Sequence, residues 1–185
     1  GALFFHKYAP KTLITNSKNR IQKFISEQNK VVLKPIDGFG GRGIRLVDKN
    51  TQNLENLLEE KTHKENRKIV VNEYISEAKK GDKRILLVNG EPIGAILRVA
   101  APGNEINNLD QGGRAVPSEL TELEVRLCKE MKPFFQESGL FFVGIDMLGD
   151  KLTEVNVTSP TGLQELIRFS GVNHHINIIE SLINS

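Results

Sequence analysis

Cysteine is almost missing from this sequence, since Cys128 is the only one among 185 residues. A single cysteine cannot form an internal disulfide, which excludes the small disulfide-bonded scaffolds of secreted proteins. No apolar run approaches the ~20 residues that cross a bilayer, and no charged-then-apolar signal segment opens the chain. We therefore expect a protein of the reducing cytoplasm.

A strong excess of one charge sign is also missing, because 25 Lys and Arg are balanced by 23 Asp and Glu. A net charge of +2 argues against nucleic acid as a partner. The two parts of the chain differ, however: residues 1–75 carry 14 basic and 8 acidic side chains, and residues 76–185 carry 11 and 15. The length, with 38% hydrophobic and 26% charged residues, predicts a globular domain or two small lobes.

Internal repeats and low-complexity tracts are absent, so hydrophobic periodicity has to predict the elements. Residues 12–75 predict the order β-α-β-loop-β-α-β, with a glycine-rich loop at 37–43. The second part predicts an antiparallel strand pair joined by Asn89-Gly90, a dipeptide typical of tight hairpins. Residues 101–118 show little periodicity and are predicted to be a mobile flap. A helix, a second strand pair around Gly149-Asp150 and two closing helices follow.

The glycine-rich loop contains G-x-G-x-x-G, but its surroundings exclude two nucleotide-binding motifs. A dinucleotide fingerprint must open a helix, whereas residues 44–47 predict a strand, and a Walker loop needs Lys-Ser or Lys-Thr after Gly43. A flexible strand-loop-strand hairpin over a triphosphate remains, as does an ordinary surface hairpin. Lys34 ends the preceding apolar strand, so its ammonium should point to solvent or to a phosphate.

Acidic and amide side chains interrupt two apolar strands in the last third of the chain. Glu154 and Asn156 are two residues apart and therefore share a face of their strand. Asp146 joins that face only if the turn has an odd length, for example Gly149-Asp150-Lys151, because a two-residue turn would point it away. Carboxylates opposed at ~4.5–5.5 Å repel unless a cation lies between them, and oxygen ligands suit Mg²⁺. Carboxylates that simply face water are the alternative.

Five short motifs occur in a fixed order along the chain. They are Val32-Leu33-Lys34-Pro35-x-Asp37-Gly38-x-Gly40-Gly41, Gly81-Asp82-Lys83-Arg84, Gly112-Gly113-Arg114, Val143-Gly144-x-Asp146 and Leu152-Thr153-Glu154-x-Asn156-Val157-Thr158-Ser159-Pro160-Thr161. Together they resemble the ATP-binding part of bacterial glutathione synthetase, from about Pro10 to the C-terminal end. The resemblance implies the α+β class and an ATP-grasp fold, in which two α+β lobes with antiparallel sheets clasp ATP. It also implies a lid lobe at 1–75 and a core lobe at 76–185, with the flap at 101–118.

The resemblance further implies a cytoplasmic ligase that joins γ-glutamylcysteine to glycine. ATP phosphorylates the free carboxylate of the dipeptide, and the glycine amine attacks the acyl phosphate with release of ADP and phosphate. The implied cofactors are ATP and Mg²⁺, with Mn²⁺ as an alternative. The implied partners are these small molecules, with no nucleic acid and no membrane, and the full-length enzyme is expected to be a homo-oligomer.

The resemblance assigns roles to individual residues. Phosphates would be held by Lys34, Gly38, Gly40 and Gly41, adenine by the hinge Asn72, Glu73, Tyr74 and Ile75, and the ribose by Asp82. Metal ligands would be Asp146, Glu154 and Asn156, and the substrate dipeptide would face Asn108, Arg114, Ser159 and Thr161. The transferring phosphoryl group and the acyl phosphate would be steadied by Arg84 and Arg98. The flap would close to keep water from the intermediate.

The sequence also departs from the family pattern. Ile106 stands where an arginine is expected, Ala101 stands near an expected proline, and Gly162 and Gln164 replace the usual cysteine and arginine. The family's N-terminal domain and a further ATP-contacting lysine upstream of Gly1 are missing, so we interpret the chain as a fragment whose activity on its own stays open. Two alternatives remain: an ATP-binding module without ligase activity, and a ligase with a different acyl acceptor.

Overall fold

The structure is a computed structural model that describes residues 5–37, 43–100 and 113–183. The chain divides into two compact units, Pro10–Ser76 and Glu77–Ser185, and the residues before Pro10 belong to the second. None of the helices in the described residues has the length and apolar content needed to cross a bilayer.

The Pro10–Ser76 unit is built on a four-stranded antiparallel sheet with the strand order β1-β4-β2-β3. Its elements in chain order are β1 (Thr12–Thr15), α1 (Lys18–Gln28), β2 (Lys30–Pro35), β3 (Arg45–Asp48), α2 (Leu54–Lys61) and β4 (Ile69–Glu73). This order is the one that the hydrophobic periodicity of residues 12–75 predicts.

One face of this sheet packs against α1 and α2 and forms the core of the unit. Successive strand residues point to opposite faces, so alternate positions of each strand are buried. The buried side chains are Ile21, Ile25, Val31, Leu33, Val47, Leu58, Ile69 and Val71. The opposite face carries Val32, Lys34 and Val70, which are only partly buried.

The second unit is built on a five-stranded antiparallel sheet with the strand order β7-β6-β5-β8-β9. A short 3-10 helix (Ser76–Lys80) precedes the first strand of this sheet. The elements after it in chain order are β5 (Asp82–Val88), β6 (Glu91–Val99), β7 (Arg114–Ser118), α3 (Glu122–Glu137), β8 (Phe142–Leu148), β9 (Lys151–Asn156), α4 (Leu163–Ser170) and α5 (His174–Ile183). The predicted Asn89-Gly90 hairpin is confirmed, with Val88 paired to Glu91 and positive φ at both turn residues.

Helices pack on both faces of this sheet. The face under α3 forms the larger core, with the buried side chains Ile85, Leu87, Ala95, Leu127, Cys128, Met131, Phe135, Val143, Ile145, Met147 and Leu152. On the opposite face, Leu166 from α4 clusters with Leu86 and Ile96. The remainder of that opposite face is polar and carries the candidate site.

Two predictions about the organisation of the chain need correction. Residues 114–118, assigned to the flap, form β7, whose Ala115 pairs with Arg98 and gives β6 a neighbour on its free side. The rest of the flap, 101–112, lies outside the described residues. The segment Phe5–Ala9 falls within the predicted lobe 1–75, but the rings of Phe5 and Tyr8 pack on the α3 core of the second unit, and the Leu152 amide donates to the Tyr8 backbone oxygen at 2.8 Å.

Candidate functional site

One face of the five-stranded sheet carries charged side chains on four neighbouring strands. Arg84 on β5 lies opposite Asp146 on β8, and Asp146 lies opposite Glu154 on β9. Asp82, two residues before Arg84, lies opposite Arg98 on β6. Directly opposed residues share a face, as do residues two apart in one strand. These five side chains therefore form one cluster, which we call the charged row.

Asp146 is the centre of the charged row and is only 3% exposed. Arg84 donates to both of its carboxylate oxygens, from Nε to Oδ1 and from Nη2 to Oδ2 at 2.8 Å. Nη2 of Arg98 lies 3.0 Å from the same Oδ2. Burial raises the pKa of Asp146, but the hydrogen bonds from Arg84 and the charge of Arg98 outweigh burial and hold the pKa below its usual value. The carboxylate is therefore ionised at neutral pH.

Arg84 is fixed from a second side by the segment before α4. Its Nη1 donates to the backbone oxygen of Thr161 at 3.0 Å. The side chain passes over Gly144, where an added Cβ would lie 3.0 Å from Arg84 Cδ and 2.8 Å from Pro160 Cβ. Gly144 thus leaves the room that Arg84 needs to reach Asp146. Ser159, predicted beside Thr161, is exposed and has a left-handed backbone with φ of 51°.

The turn between β8 and β9 differs from the odd-length turn considered from the sequence. Leu148 pairs with Lys151, so the turn contains only Gly149-Asp150. Gly149 has a φ of 57° and supplies the left-handed backbone that such short turns require. By alternation alone, this two-residue turn would place Asp146 and Glu154 on opposite faces of the sheet.

A β-bulge at Thr153 reverses that outcome. Met147 pairs with Leu152, but the next pair is Asp146 with Glu154, so Thr153 is an extra residue on β9. Thr153 Oγ1 donates to the backbone oxygen of Asp146 at 3.1 Å. The bulge therefore places the two carboxylates on one face, as an odd-length turn would have done, although alternation along the strands does not reveal it.

The oxygen atoms around Asp146 are of the type that a hard cation prefers. Asn156 Nδ2 donates to Asp146 Oδ2 at 3.2 Å, which leaves the amide oxygen of Asn156 for another partner. Glu154 is exposed, and its carboxylate makes no hydrogen bond with the side chain or backbone of another described residue. The described residues hold no group of three His, Cys, Asp or Glu that could bind a metal, so the third oxygen would have to come from this amide. Two carboxylates and an amide oxygen fit Mg²⁺ better than a softer metal.

The charged row ends in the pair of Asp82 and Arg98. Arg98 Nε donates to Asp82 Oδ1 at 2.5 Å, and the arginine is 8% exposed. Burial raises the pKa of Asp82 from 3.8 to about 6, although the charge and hydrogen bond of Arg98 oppose the rise. Asp82 and Asp146 thus have pKa values shifted in opposite directions, because Asp146 has two arginine partners and Asp82 has one.

We expect the Asp82 carboxyl group to titrate near pH 6 in the absence of metal and nucleotide. Because burial raises its pKa above the value of 3.8, its contribution to stability is full below pH 3.8 and is lost as the pH rises through about 6. Asp146 acts in the opposite sense, since its lowered pKa makes stability fall when the pH drops. A ¹³C carboxyl titration, assigned by the signal missing in Asp82→Asn, measures the midpoint. A midpoint below pH 4.5 would contradict the expectation.

In the Pro10–Ser76 unit, Lys34 lies on the sheet face opposite α1 and α2. It pairs with Val70, and Val70 pairs with Ile14, so the three residues form a line across β2, β4 and β1. Ile14 is 41% exposed, and Val32 on the same face is partly buried. Lys34 is therefore surrounded by partly exposed apolar side chains on this face of the sheet.

Three of the four predicted hinge residues bond within their own unit. Asn72 Nδ2 donates to Thr12 Oγ1 at 2.7 Å, and Glu73 Oε1 accepts from the Lys11 amide at 2.9 Å. The Lys30 ammonium lies 4.5 Å from the centre of the Tyr74 ring. Ile75 is partly buried. The predicted phosphate-binding residues Gly38, Gly40 and Gly41 and the substrate residue Asn108 lie outside the described residues.

Arg114 does not join the charged row. It pairs with Val99, one position beyond the pair of Arg98 and Ala115, so it projects from the other face of the sheet. Sequence reasoning also missed the apolar residues that surround Lys34. The signal was present, because uninterrupted apolar runs such as Val31-Val32-Leu33 are typical of strands that are covered on both faces.

Comparison with known proteins agrees with the motifs. Residues 1–171 match the family described as prokaryotic glutathione synthetase, ATP-grasp domain. Glutathione synthetase of Thermosynechococcus vestitus is 44% identical over 170 residues, which cover 92% of this chain and 54% of that protein. Glutathione synthetase of Agrobacterium fabrum is 43% identical over 169 residues, which cover 91% and 53%. The chain therefore spans about half the length of the curated relatives it matches.

The fold is similar to that of solved ATP-grasp proteins. The ATP-grasp ligase PsnB, complexed with the precursor peptide PsnA2 and AMPPNP, gives a TM-score of 0.67 at 19% identity, and the match covers 95% of this chain and 53% of that one. At this identity the likeness shows the fold alone, and it confirms the predicted α+β, ATP-grasp architecture. The chain belongs to the ATP-grasp domain family of prokaryotic glutathione synthetases.

Proposed function

We propose that this chain is the ATP-binding and phosphoryl-transferring part of a glutathione synthetase-type ligase. In the proposed reaction, the γ-phosphoryl group of ATP moves to the free carboxylate of γ-glutamylcysteine and leaves ADP. The glycine amine then attacks the acyl phosphate, so that an amide bond forms and phosphate leaves. The observation that carries the proposal is the charged row, in which one buried carboxylate holds two arginines and a second carboxylate lies on the same face.

Arg84 and Arg98 would supply the catalytic charge. Their guanidinium groups carry positive charge toward the transferring phosphoryl group and the acyl phosphate, whose oxygens match the planar fork of donors. Asp146 contacts both groups and Asp82 contacts Arg98, so little reorganisation is needed when negative charge develops. The buried surroundings strengthen these interactions relative to water.

The remaining roles in this proposal follow the family motifs. Lys34 would contact phosphates with Gly38, Gly40 and Gly41, adenine would lie at Asn72, Glu73, Tyr74 and Ile75, and Asp82 would reach the ribose. The dipeptide would face Thr161, Ser159, Asn108 and Arg114. Because Arg114 projects from the other face of its sheet, its proposed contact is the one that the geometry supports least.

Asp146, Glu154 and Asn156 would hold a divalent cation, which we propose to be Mg²⁺, with Mn²⁺ as an alternative. When bound, the cation would neutralise phosphate charge. The charged row contains three carboxylates and two guanidinium groups, so it attracts a free dication only weakly. Nucleotide phosphates would add oxygen ligands and negative charge, and we propose that metal and nucleotide bind together.

The proposed setting is the cytoplasm, where the buried Cys128 thiol would stay reduced. Burial raises the pKa of this thiol to about 12, so it is protonated at neutral pH and has little reactivity. A homo-oligomeric full-length enzyme belongs to the same proposal.

Glu154→Gln in the full-length protein tests the proposed function. We expect phosphate release that depends on γ-glutamylcysteine and glycine to fall by about 100-fold or more, because a metal ligand stabilises transition-state charge by several kcal/mol. Glu154 is exposed, so circular dichroism and the melting temperature should stay unchanged. Glu137→Gln, at an exposed position of α3, serves as the matched control.

Unchanged turnover in Glu154→Gln would contradict the metal site. Calorimetry with Mg-ATP separates the alternatives in the unmodified protein. Binding of Mg-ATP without substrate-dependent phosphate release would indicate a nucleotide-binding module. Phosphate release with another dipeptide, but not with γ-glutamylcysteine, would indicate a ligase with a different acyl acceptor.

A further inference from the structure

The pair of Asp82 and Arg98 is built more tightly than a contact of two surface charges. The two residues are directly opposed on β5 and β6, and Arg98 Nε donates to Asp82 Oδ1 at 2.5 Å. Gly81 lies just before Asp82, and an added Cβ there would approach the Arg98 backbone oxygen to 2.7 Å. Gly81 also has a φ of 124°, which other residues rarely adopt. The backbone at this point is therefore arranged so that β5 can approach β6 closely.

Asp146 holds Arg98 through fewer contacts than it holds Arg84. Arg98 therefore depends more on its second carboxylate, Asp82. Arg84 binds Asp146 with two nitrogens and Thr161 with the third. Arg98 contacts Asp146 only through Nη2, at 3.0 Å, and shares the oxygen Oδ2 with Arg84. Asp82 is the one carboxylate among the described residues that holds the Nε edge of Arg98. Without it, the described residues would hold the guanidinium group only through the Asp146 oxygen that Arg98 shares with Arg84.

We infer that Asp82 is a positioning residue for Arg98, in addition to the ribose contact proposed above. Asp82 fixes the Nε edge of the guanidinium group, so that the plane and the outer nitrogens of Arg98 are already set when the phosphoryl group arrives. Displacement of a catalytic group by about 1 Å can cost on the order of 100-fold in rate. This inference rests on the proposed function, since it assigns Asp82 a part in the same phosphoryl transfer.

A ribose contact and an Arg98 contact predict different kinetics. Loss of a ribose hydrogen bond weakens nucleotide binding and raises the KM for ATP. It has no effect on a nucleotide that lacks the ribose hydroxyl groups. Loss of Arg98 orientation lowers kcat instead, because the interaction matters most in the transition state. The two contributions can therefore be separated with 2′,3′-dideoxy-ATP.

The experiment compares Asp82→Ala, which removes the acceptor oxygen for Arg98 Nε, with the unmodified full-length protein, using ATP and 2′,3′-dideoxy-ATP. We expect kcat to fall about 10- to 100-fold with both nucleotides, as is typical when a partner that orients a functional group is lost. In an Arg98→Lys background, Asp82→Ala should change kcat less than about 2-fold, because residues acting as a unit are not additive. Asp150→Ala, at an exposed turn position of the same sheet, is the control.

A second measurement does not depend on activity. The ¹⁵N-Hε signal of Arg98 should be protected from solvent exchange in the unmodified protein and should lose that protection in Asp82→Ala, which removes the acceptor oxygen, but not in Asp150→Ala. Retained protection would overturn the inference, as would an unchanged kcat with dideoxy-ATP or an undiminished effect in the Arg98→Lys background. If the unmodified protein releases no phosphate in response to substrates, the proposed function fails instead, and the Arg98 signal still decides the positioning role.

Discussion

Asp146→Ala is expected to lower the free energy of unfolding of the Glu77–Ser185 unit by about 3–5 kcal/mol. The change removes the shared carboxylate of Arg84 and Arg98, whose side chains are only 6% and 10% exposed. Two buried guanidinium groups would then lack most of their compensating charge, and breaking a buried pair from one side costs far more than losing an exposed ion pair. Urea unfolding, with hydrogen exchange of β5 and β8 peptides, measures the loss.

Asp150→Ala is the matched control for this prediction. Asp150 lies in the turn that follows β8 and is exposed, and its Oδ2 lies 3.8 Å from Nζ of Lys151. Its replacement should change the unfolding free energy by less than about 0.5 kcal/mol. If Asp146→Ala lowers the free energy of unfolding no more than the control does, then water or alternative partners are sufficient to solvate the arginines. The account of a tightly paired charged row would then be wrong.

Phe135→Ala is expected to cost about 3–5 kcal/mol as well, but through packing. Phe135 has no exposed surface, and its ring meets the edge of Phe134 at a centroid distance of 5.8 Å. Alanine would leave a cavity beneath α3 that the surrounding strands can fill only in part. The melting temperature and the hydrogen exchange of α3 and β5 measure the effect.

The position of this effect in the chain is a further part of the expectation. The two units have separate clusters of buried residues, so Phe135→Ala should accelerate exchange in the second unit and spare β2 and β4. Leu33→Ala provides the reciprocal control, because Leu33 belongs to the core formed with α1 and α2. Equal acceleration of both units by either variant would show that they unfold together.

Local sequence signals predicted much of the fold. The Asn89-Gly90 turn predicted its hairpin because two residues with positive φ are required there, and these residue types adopt that backbone most easily. Apolar residues at helical spacing, which is also a local pattern, predicted α1, α2 and α3. β7 was not predicted because its partner strand, β6, is separated from it in the sequence by residues 101–112. No pattern within Arg114–Ser118 itself indicates that pairing.

The candidate site shows a similar division. Alternation predicted that Glu154 and Asn156 share a face, since that depends only on their spacing. It could not predict that Asp146 binds Arg84, because these residues are 62 positions apart and meet only when β5 and β8 pair. The double partnership of Asp146 is likewise a product of strand order. Motif resemblance pointed to these residues, but the ion pairs among them depend on which strands are neighbours in the sheet.

The bulge at Thr153 has a consequence for how the β8-β9 hairpin can change in length. Adding one residue to the two-residue tip of the hairpin, Gly149-Asp150, shifts the alternation of β9 by one position and turns Glu154 away from the arginines. Removing one residue from β9 between the tip and Glu154 has the same effect. Insertions and deletions here are therefore tolerated in compensating pairs. A three-residue tip with Thr153 removed keeps both acids toward Arg84, whereas either change made alone would turn Glu154 into the apolar layer under α3.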